Sequence, residues 1–216
     1  TGETRLSREV IDVALTSNFP FVELGSPFFR QALLVTLAFA ILSVVFETTI
    51  GFGQAMVLDQ EFKGRRWVRV AIILPWAIPI VIQGMLFFLL FQPTVGFGSG
   101  VMQSLGLFGD NPLASSSDSF FIVLIADVWK TSAFMALLIL AGLQSVDRSL
   151  YDVAKVSGAT PWQRFKLITL PIVMPALIVA MLFRTMDAMR VYGIIESTAG
   201  CSTVPSMTCM VIDGLF

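Results

Sequence analysis

Four long runs of apolar residues limit what this chain can fold into, because each is long enough to cross a bilayer as a helix. They cover about residues 28–58, 70–91, 120–143 and 170–195. A hydrocarbon core is roughly 30 Å thick, and a helix of about 20 apolar residues spans it. The first run exceeds that length and is expected to tilt. The sequence therefore predicts an all-α fold, a polytopic transmembrane helical bundle.

Composition supports a membrane protein and excludes several other classes. Hydrophobic residues make up 56% of the chain and charged residues 13%, far from the usage of a soluble domain. The chain has no histidine, which removes the commonest general base and metal ligand. It has no GxxxxGK[ST], HExxH or GxSxG motif. We expect a chain that is not itself catalytic and binds no metal or cofactor, and its net charge of −1 gives no reason to expect nucleic acid.

The segments around the runs divide the chain into two parts. Residues 1–27 are mixed and polar without the pattern of a signal peptide, and we expect an extracytoplasmic N-terminal segment there. The transmembrane domain then covers 28–216. Pro75 and Pro79 lie in the second run and predict a kink or break. A last helix is expected to start near Met207.

The distribution of basic residues predicts the orientation of the spans. The segment 92–119 has no Lys or Arg, whereas the loop before the second apolar run and the loop after the third are basic. By the positive-inside rule the basic loops are cytoplasmic and 92–119 is outside. The loop at 147–169 is therefore predicted to face the cytoplasm. The basic residues that decide this are Lys63, Arg65, Arg66, Arg69, Arg148, Lys155, Arg164 and Lys166.

The most polar stretch of the second half reads as two short helices joined at Gly158. Ser149, with Asp152 three residues later, predicts a capping box for the first helix, and Gly158 suits a position of positive φ after its end. Thr160 is the expected N-cap of the second helix. Its first residue would be Pro161, and Gln163 would complete a second capping box. On these signals alone the stretch is a structured loop at the membrane surface.

One side of the second short helix is apolar. Trp162, Phe165 and Ile168 recur at helical spacing along one stripe, with basic residues off it. This helix therefore has a face to bury.

The same stretch resembles the EAA motif of ABC-importer permeases, E-A-A-x3-G-x9-I-x-L-P. It reads Asp152-Val153-Ala154, three residues, Gly158, nine residues, then Ile168-Thr169-Leu170-Pro171. Asp152 stands for the family's Glu and Val153 for its first Ala. The resemblance implies a cytoplasmic coupling helix that docks into a cleft on an ATPase subunit. The residues it assigns to that contact are Asp152, Val153, Ala154, Gly158, Ala159, Trp162, Phe165, Ile168, Leu170 and Pro171.

The resemblance extends over about residues 28–216 and points to carbohydrate uptake. Three further stretches are similar to the MalF-like branch of the binding-protein-dependent importers, and within it to actinobacterial disaccharide permeases such as trehalose importers. They are 64–93, with Leu74-Pro75-Trp76 inside it, 126–130 and 183–188. The resemblance implies the ABC importer permease fold, alternating access and a bacterial plasma membrane. It also implies a second permease subunit, two ATPase subunits that hold ATP and Mg, an extracytoplasmic solute-binding protein, anchored as a lipoprotein in some systems, and a sugar substrate.

Two departures from the family pattern affect the outer side and the ends. The family usually has a Gly-Gly-Pro turn where this chain has Ala199-Gly200-Cys201. It also usually has six spans, so one helix is expected before Thr1 and one is expected to finish beyond Phe216.

Charged and amide side chains inside the spans are candidates for the translocation path. A charge at the centre of a span costs roughly 2.5–3.5 kcal/mol on the insertion scale, so each needs a partner or water. Asp127 with Lys130, Arg184 with Asp187, and Asp187 with Arg190 have i,i+3 spacing, so each set lies on one helix face and can pair internally. The alternative is that they are mutually neutralised struts between helices or snorkel to an interface, which we favour for Arg190 because it lies near the outer end. The candidates are Glu47, Gln83, Asp127, Lys130, Arg184 and Asp187.

Several uncharged groups have two interpretations of the same kind. Gln54, like Glu47 and Gln83, has the chemistry to bind sugar hydroxyls, but helix–helix hydrogen bonds are as common for such residues. Trp76, Trp129 and Tyr192 have rings that suit stacking on a sugar, although aromatic residues near span ends are more often interfacial belt residues.

The two cysteines can form a disulfide. Cys201 and Cys209 both fall on the outer side of the predicted topology, where an oxidising compartment allows a disulfide. The preferred function is a permease subunit of an ATP-driven sugar importer. The alternative is a secondary transporter or channel driven by an ion gradient, with Asp127 and Asp187 as proton carriers.

Overall fold

The computed structural model describes residues 27–213, and all regular structure within that range is helical. This confirms the predicted all-α class. The predicted N-terminal segment lies outside the described residues, apart from Pro27. The helices are α1 Pro27–Asp59, α2 Arg65–Ala77, α3 Ile80–Phe91, α4 Phe97–Ser104, α5 Ser116–Leu143, α6 Arg148–Val156, α7 Pro161–Arg164, a π-helical turn Phe165–Thr169, α8 Leu170–Ala188, α9 Gly193–Thr198 and α10 Met207–Asp213.

Three helices of the described chain are long and apolar enough to cross a membrane. They are α1, α5 and the continuous helix Pro161–Ala188. Helices α2 and α3, which meet at an angle of 96°, make a fourth span if the bent pair is counted as one. The break falls where the prolines predict it. Pro79 precedes α3, and Ile78 before it is extended, because the proline ring disfavours a helical residue in front of it.

Helix α5 is the centre of the bundle and is the most completely buried of the three long helices. It packs against α1, α8 and α2, with one apolar cluster towards each of its ends. Helices α1 and α5 approach closely at Gly51 of α1, where a Cβ atom would lie 2.7 Å from the Cβ of Met135. Small residues at such crossings let helix backbones approach closely, which is how helices associate in lipid.

The fourth apolar run differs from its predicted bounds at both ends. It starts earlier, because α7, the π-helical turn and α8 form one helix of 28 residues. In the wider turn the Leu170 amide donates to the Phe165 carbonyl, which accommodates Pro171, a residue with no N–H and a ring that crowds the preceding turn. It ends at Ala188 rather than near Ile195, and helical structure resumes at Gly193 in α9.

Candidate functional site

A buried cluster of charges joins the three helices α1, α5 and α8. The Arg184 guanidinium binds both carboxylate oxygens of Glu47, with Nε–Oε2 and Nη2–Oε1 distances of 2.5 and 2.9 Å. It also donates to the carboxylates of Asp127 and, at 2.8 Å, Asp187. The side chains of Arg184 and Glu47 are 3% and 0% exposed, whereas Asp187 is 66% exposed. The cluster therefore has a closed inner part and one open member.

The inner part of this cluster has the geometry of a strut. Buried charges within a membrane need a partner or water. Glu47 and Asp127 come from different helices and bind the same guanidinium, whose planar fork suits a bidentate carboxylate. Removing one partner of such a pair leaves a buried charge uncompensated and typically costs about 3–5 kcal/mol.

Two of the spacings noted in the sequence do not produce the expected pairs. The Lys130 ammonium does not form an ion pair with Asp127, because Arg184 already binds that carboxylate and a free carbonyl lies within reach of the lysine. Arg190 forms no ion pair with Asp187 among the residues described, since α8 ends at Ala188 and helical spacing is lost. The Arg184–Asp187 pair forms as its spacing predicts.

Two side chains attach the broken helix to α5. Lys130 donates to the carbonyl of Ile78, which the break leaves without a helical partner. Gln83, fully buried in α3, donates from Nε2 to the carbonyl of Ala126, four residues before Lys130. The Gln83 Oε1 atom has no hydrogen-bond partner within the described residues. Both sides of the break are therefore held by hydrogen bonds to one helix.

A cavity of about 320 Å³ opens beside the charge cluster. It has an aromatic wall, in which Trp76 of α2 stacks on Phe134 of α5 with ring centroids 6.3 Å apart. A second, smaller cavity of about 100 Å³ shares Arg184, Asp187 and Arg190 with it. The lining of the larger cavity is Trp76, Thr131, Phe134, Phe183, Arg184, Asp187 and Arg190.

The predicted path residues therefore separate into two groups. Arg184 and Asp187 line the cavity, and Asp127 lines the smaller one. Glu47 lies behind Arg184 inside the helix packing, and Gln83 and Lys130 lie at the helix break. No sequence pattern singles out Thr131, Phe134 or Phe183, and the patterns favour other roles for Trp76 and Arg190. An apolar span offers no local signal that tells cavity aromatics from lipid-facing ones.

The predicted coupling segment is residues 147–169, and its first short helix, α6, is capped at both ends. Its N-cap is Asp147, not Ser149, because the Asp147 carboxylate accepts from the Ser149 amide at 2.9 Å. This hydrogen bond holds the pKa of Asp147 below its ordinary value. At the other end Gly158 has φ of 78°, and the amides of Gly158 and Ala159 donate to the carbonyls of Lys155 and Ala154. This is a Schellman motif, which requires a residue that tolerates positive φ.

The second short helix, α7, has the capping box that the sequence predicts. The Thr160 hydroxyl accepts from the Gln163 amide, and the Gln163 side chain accepts from the Thr160 amide at 2.8 Å. Trp162 stacks on Phe165, and Phe165 makes an edge contact with Phe52 of α1. The apolar stripe is therefore packed against the bundle at Phe165, while Trp162 remains exposed.

The turn side of the coupling segment presents apolar residues outward. Val156 is 91% exposed, and Val153 and Trp162 are also exposed. Asp152 pairs with Lys155 at 3.3 Å, an exposed pair that contributes little to stability. Behind the segment lies a cavity of about 400 Å³ whose lining is mostly charged, with Asp59, Arg148, Asp152, Lys155 and Arg164 among its residues. Exposed apolar side chains beside a charged cavity are typical of a surface that a partner covers.

The opposite end of the bundle contains the two cysteines. Cys201 and Cys209 form a disulfide with Cα atoms 5.6 Å apart. The Glu196 carboxylate accepts from the Cys201 amide at 3.0 Å, and Gly200 has φ of 80°. The segment that replaces the family's Gly-Gly-Pro turn is therefore a closed, hydrogen-bonded loop. Within residues 27–213 no group of three or more His, Cys, Asp or Glu side chains could hold a metal ion.

Comparison with protein families gives a match over most of the chain. The model of the "Binding-protein-dependent transport system inner membrane component" matches residues 47–212. The trehalose/maltose transport system permease protein MalF of Thermococcus litoralis is 39% identical over 88% of this chain and 66% of that protein. The trehalose transport system permease protein SugA of Mycobacterium tuberculosis is 35% identical over 98% of this chain and 70% of that protein. The chain thus spans about two thirds of the length of these two relatives.

Comparison with solved structures gives the same fold. A bacterial ABC transporter involved in the import of the acidic polysaccharide alginate aligns with a TM-score of 0.69 at 25% identity, over 92% of this chain and 76% of that chain. A second structure of that kind, in complex with an alginate pentasaccharide-bound periplasmic protein, aligns with a TM-score of 0.68. The helical bundle is therefore that of an ABC importer permease.

Proposed function

Because the chain belongs to the family of binding-protein-dependent transport system inner membrane components, we propose that it is the permease subunit of an ATP-driven sugar importer. The observation that carries this proposal is its 39% identity, over most of its length, to a permease named for trehalose and maltose transport. The complete importer would contain a second permease subunit, two ATPase subunits that bind ATP and Mg, and a solute-binding protein on the outer side. The ion-gradient alternative has no support among the relatives described above.

The cavity beside Arg184 is our proposed contact with the sugar. Sugar rings present apolar C–H faces and polar hydroxyl edges, so a site needs an aromatic surface and a few convergent polar groups. Trp76 and Phe134 offer the first, and Asp187 and Arg190 offer the second. Glu47 and Asp127 would act from behind by fixing the orientation of Arg184. The wall opposite Asp187 would come from the second permease subunit.

The coupling segment is our proposed contact with the ATPase subunits. Its exposed Val153, Val156 and Trp162 would fill the cleft of the partner, on the cytoplasmic side of the membrane. The helix that begins at Pro161 continues without a break to Ala188 and carries both Arg184 and Asp187. At 1.5 Å per residue it is roughly 40 Å long, which would transmit a displacement at the cytoplasmic surface to the cavity. This continuity supports alternating access driven from the ATPase side.

Uptake by proteoliposomes tests the proposal. The complex is purified with its partners, reconstituted and supplied with binding protein and radiolabelled trehalose or maltose. We expect accumulation that requires ATP and Mg on the side of the ATPase subunits and persists when ionophores dissipate all ion gradients. Accumulation that needs a proton or sodium gradient, and continues without ATP, would establish the alternative instead. An ATP-dependent system that transports neither sugar would rule out the proposed substrates but would still support the ATP-driven mechanism.

A further inference from the structure

The short helix α4 presents an apolar surface that nothing in the described chain covers. Phe97, Val101 and Leu105 follow one another at a spacing of four residues and lie on one side of the helix. Phe97 is 77% and Leu105 64% exposed. Val95 and Leu107, which flank the helix, are exposed as well. We call these five residues the outer stripe.

The orientation of the outer stripe is fixed by the end of α3. The Gly96 amide donates to the Gln92 carbonyl at 2.8 Å, and the Gly96 backbone lies so close to Leu90 that a Cβ would meet its carbonyl oxygen at 2.0 Å. Gly98 and Ser99, on the opposite side of α4, are buried. The inner side of α4 is therefore packed against α3, and the outer stripe faces away from the bundle.

The position and charge of α4 indicate what covers the outer stripe. Helix α3 ends at Phe91, and α4 begins six residues later, in the segment that leads to the start of α5, whereas the coupling segment follows the other end of α5. No charged residue occurs between Gln92 and Gly109, which leaves the surface without groups that a charged protein partner would pair with. Leu86 and Leu89 of α3 are exposed as well, so the helix that precedes the stripe also has an apolar outer surface.

We propose that α4 lies in the outer interface of the bilayer, with the outer stripe inserted among lipid chains near the headgroups. Helices with one apolar and one polar side bind at this depth, and large apolar surfaces are rarely left in water. The attachment would anchor the outer end of the broken span. It depends on the chain being a membrane protein and not on which solute is carried.

Spin-label accessibility in nanodiscs tests this directly. The variants Phe97→Cys and Val101→Cys each receive a nitroxide, and Gln103→Cys, exposed on another side of the same helix, is the matched control. Both native cysteines are in the disulfide and do not react. We expect the two stripe positions to collide more with oxygen, which dissolves in lipid, and less with aqueous nickel–EDDA than the Gln103→Cys control does.

Other outcomes would overturn the proposal and identify a different occupant. Equal nickel–EDDA access at all three positions would place the stripe in water. Shielding from both reagents only after binding protein is added would assign the stripe to that partner. Shielding from both without binding protein would assign it to a neighbouring subunit. A second variant, Phe97→Trp, serves if labelling disturbs folding, and its added fluorescence should be quenched by lipids brominated near the headgroup and not by aqueous iodide.

Discussion

Arg184 and Glu47, which lie 137 positions apart in the sequence, form a bidentate ion pair inside the helix packing. The pair ties α8 to α1, and the same guanidinium reaches Asp127 on α5 and Asp187 at the cavity. One side chain therefore connects the buried packing of three helices to the open site where we propose that the sugar binds.

Removing the guanidinium should destabilise the bundle. In Arg184→Leu the Glu47 and Asp127 carboxylates would be left buried without a cation, at a cost of about 3–5 kcal/mol. Thermal unfolding in one detergent measures this against Arg190→Leu, which removes an exposed arginine six residues later. We expect a large fall in Tm for Arg184→Leu and a small one for the control. Equal falls would show that Arg184 is not a strut.

Two aspartates that bind the same arginine should have separable roles. Asp127 is buried, so Asp127→Asn should lower Tm and the yield of assembled protein. Asp187 is exposed, so Asp187→Asn should change stability by less than about 1 kcal/mol and raise the KM of sugar uptake. Paired unfolding and uptake assays on the two variants test this. A transport defect with normal assembly in Asp127→Asn, together with normal uptake in Asp187→Asn, would contradict the assignment.

The aromatic wall of the cavity should contribute to sugar affinity. Loss of one stacked ring in Trp76→Leu should raise the KM of uptake by roughly three- to tenfold and leave kcat nearly unchanged. Trp67→Leu is the control, because Trp67 is exposed near the start of α2 and does not line the cavity. An unchanged KM for Trp76→Leu would remove this wall from the proposed site.

Lys130 should hold the break between α2 and α3 against α5. In Lys130→Met the Ile78 carbonyl loses its donor, which should cost about 1–3 kcal/mol and increase amide hydrogen exchange in 80–85. Lys130→Arg keeps a charged donor and should restore most of the protection. Lys166→Met, an exposed lysine in the coupling segment, controls for the loss of charge. Unchanged exchange in Lys130→Met would mean that the prolines alone define the break.

Glycine should be required at position 158 because of the backbone conformation there, and not because a side chain would lack space. A Cβ there would touch nothing within 4 Å, but φ is 78°, which costs a β-branched residue roughly 1–2 kcal/mol or more. Gly158→Val should leave ATP binding by the partner intact and uncouple sugar uptake from ATP hydrolysis. Gly158→Asn should retain most uptake, because Asn tolerates this conformation. Full uptake by Gly158→Val would count against a coupling role.

Features that depend on local sequence could be predicted well. The helix break follows from Pro79, and the turns of the coupling segment follow from Gly158, Thr160 and Gln163. The predicted N-cap of α6, Ser149, was wrong by two residues. Asp147 and Ser149 are both good caps, and only the geometry of the preceding turn selects between them. The π-helical turn was missed because sequence patterns do not distinguish it from α-helix.

Features that depend on packing between distant helices were out of reach. The sequence identified Arg184 and Glu47 as unusual, but nothing local indicates that they pair across 137 positions. Lys130 was expected to bind Asp127 on its own helix. Instead it binds the Ile78 carbonyl, which is free to accept only because α2 ends nearby. The stacking of Trp76 on Phe134 likewise arises from the crossing of α2 and α5.

Co-purification from mild detergent tests the central claim most directly. The tagged chain is expressed in its own cells, and the eluate is analysed for its subunits and for ATPase activity with sugar-loaded binding protein. We predict that an ATPase subunit and a second permease subunit elute with the chain and that ATP hydrolysis is stimulated. A chain that elutes alone, and moves sugar down an ion gradient in liposomes, would contradict the account.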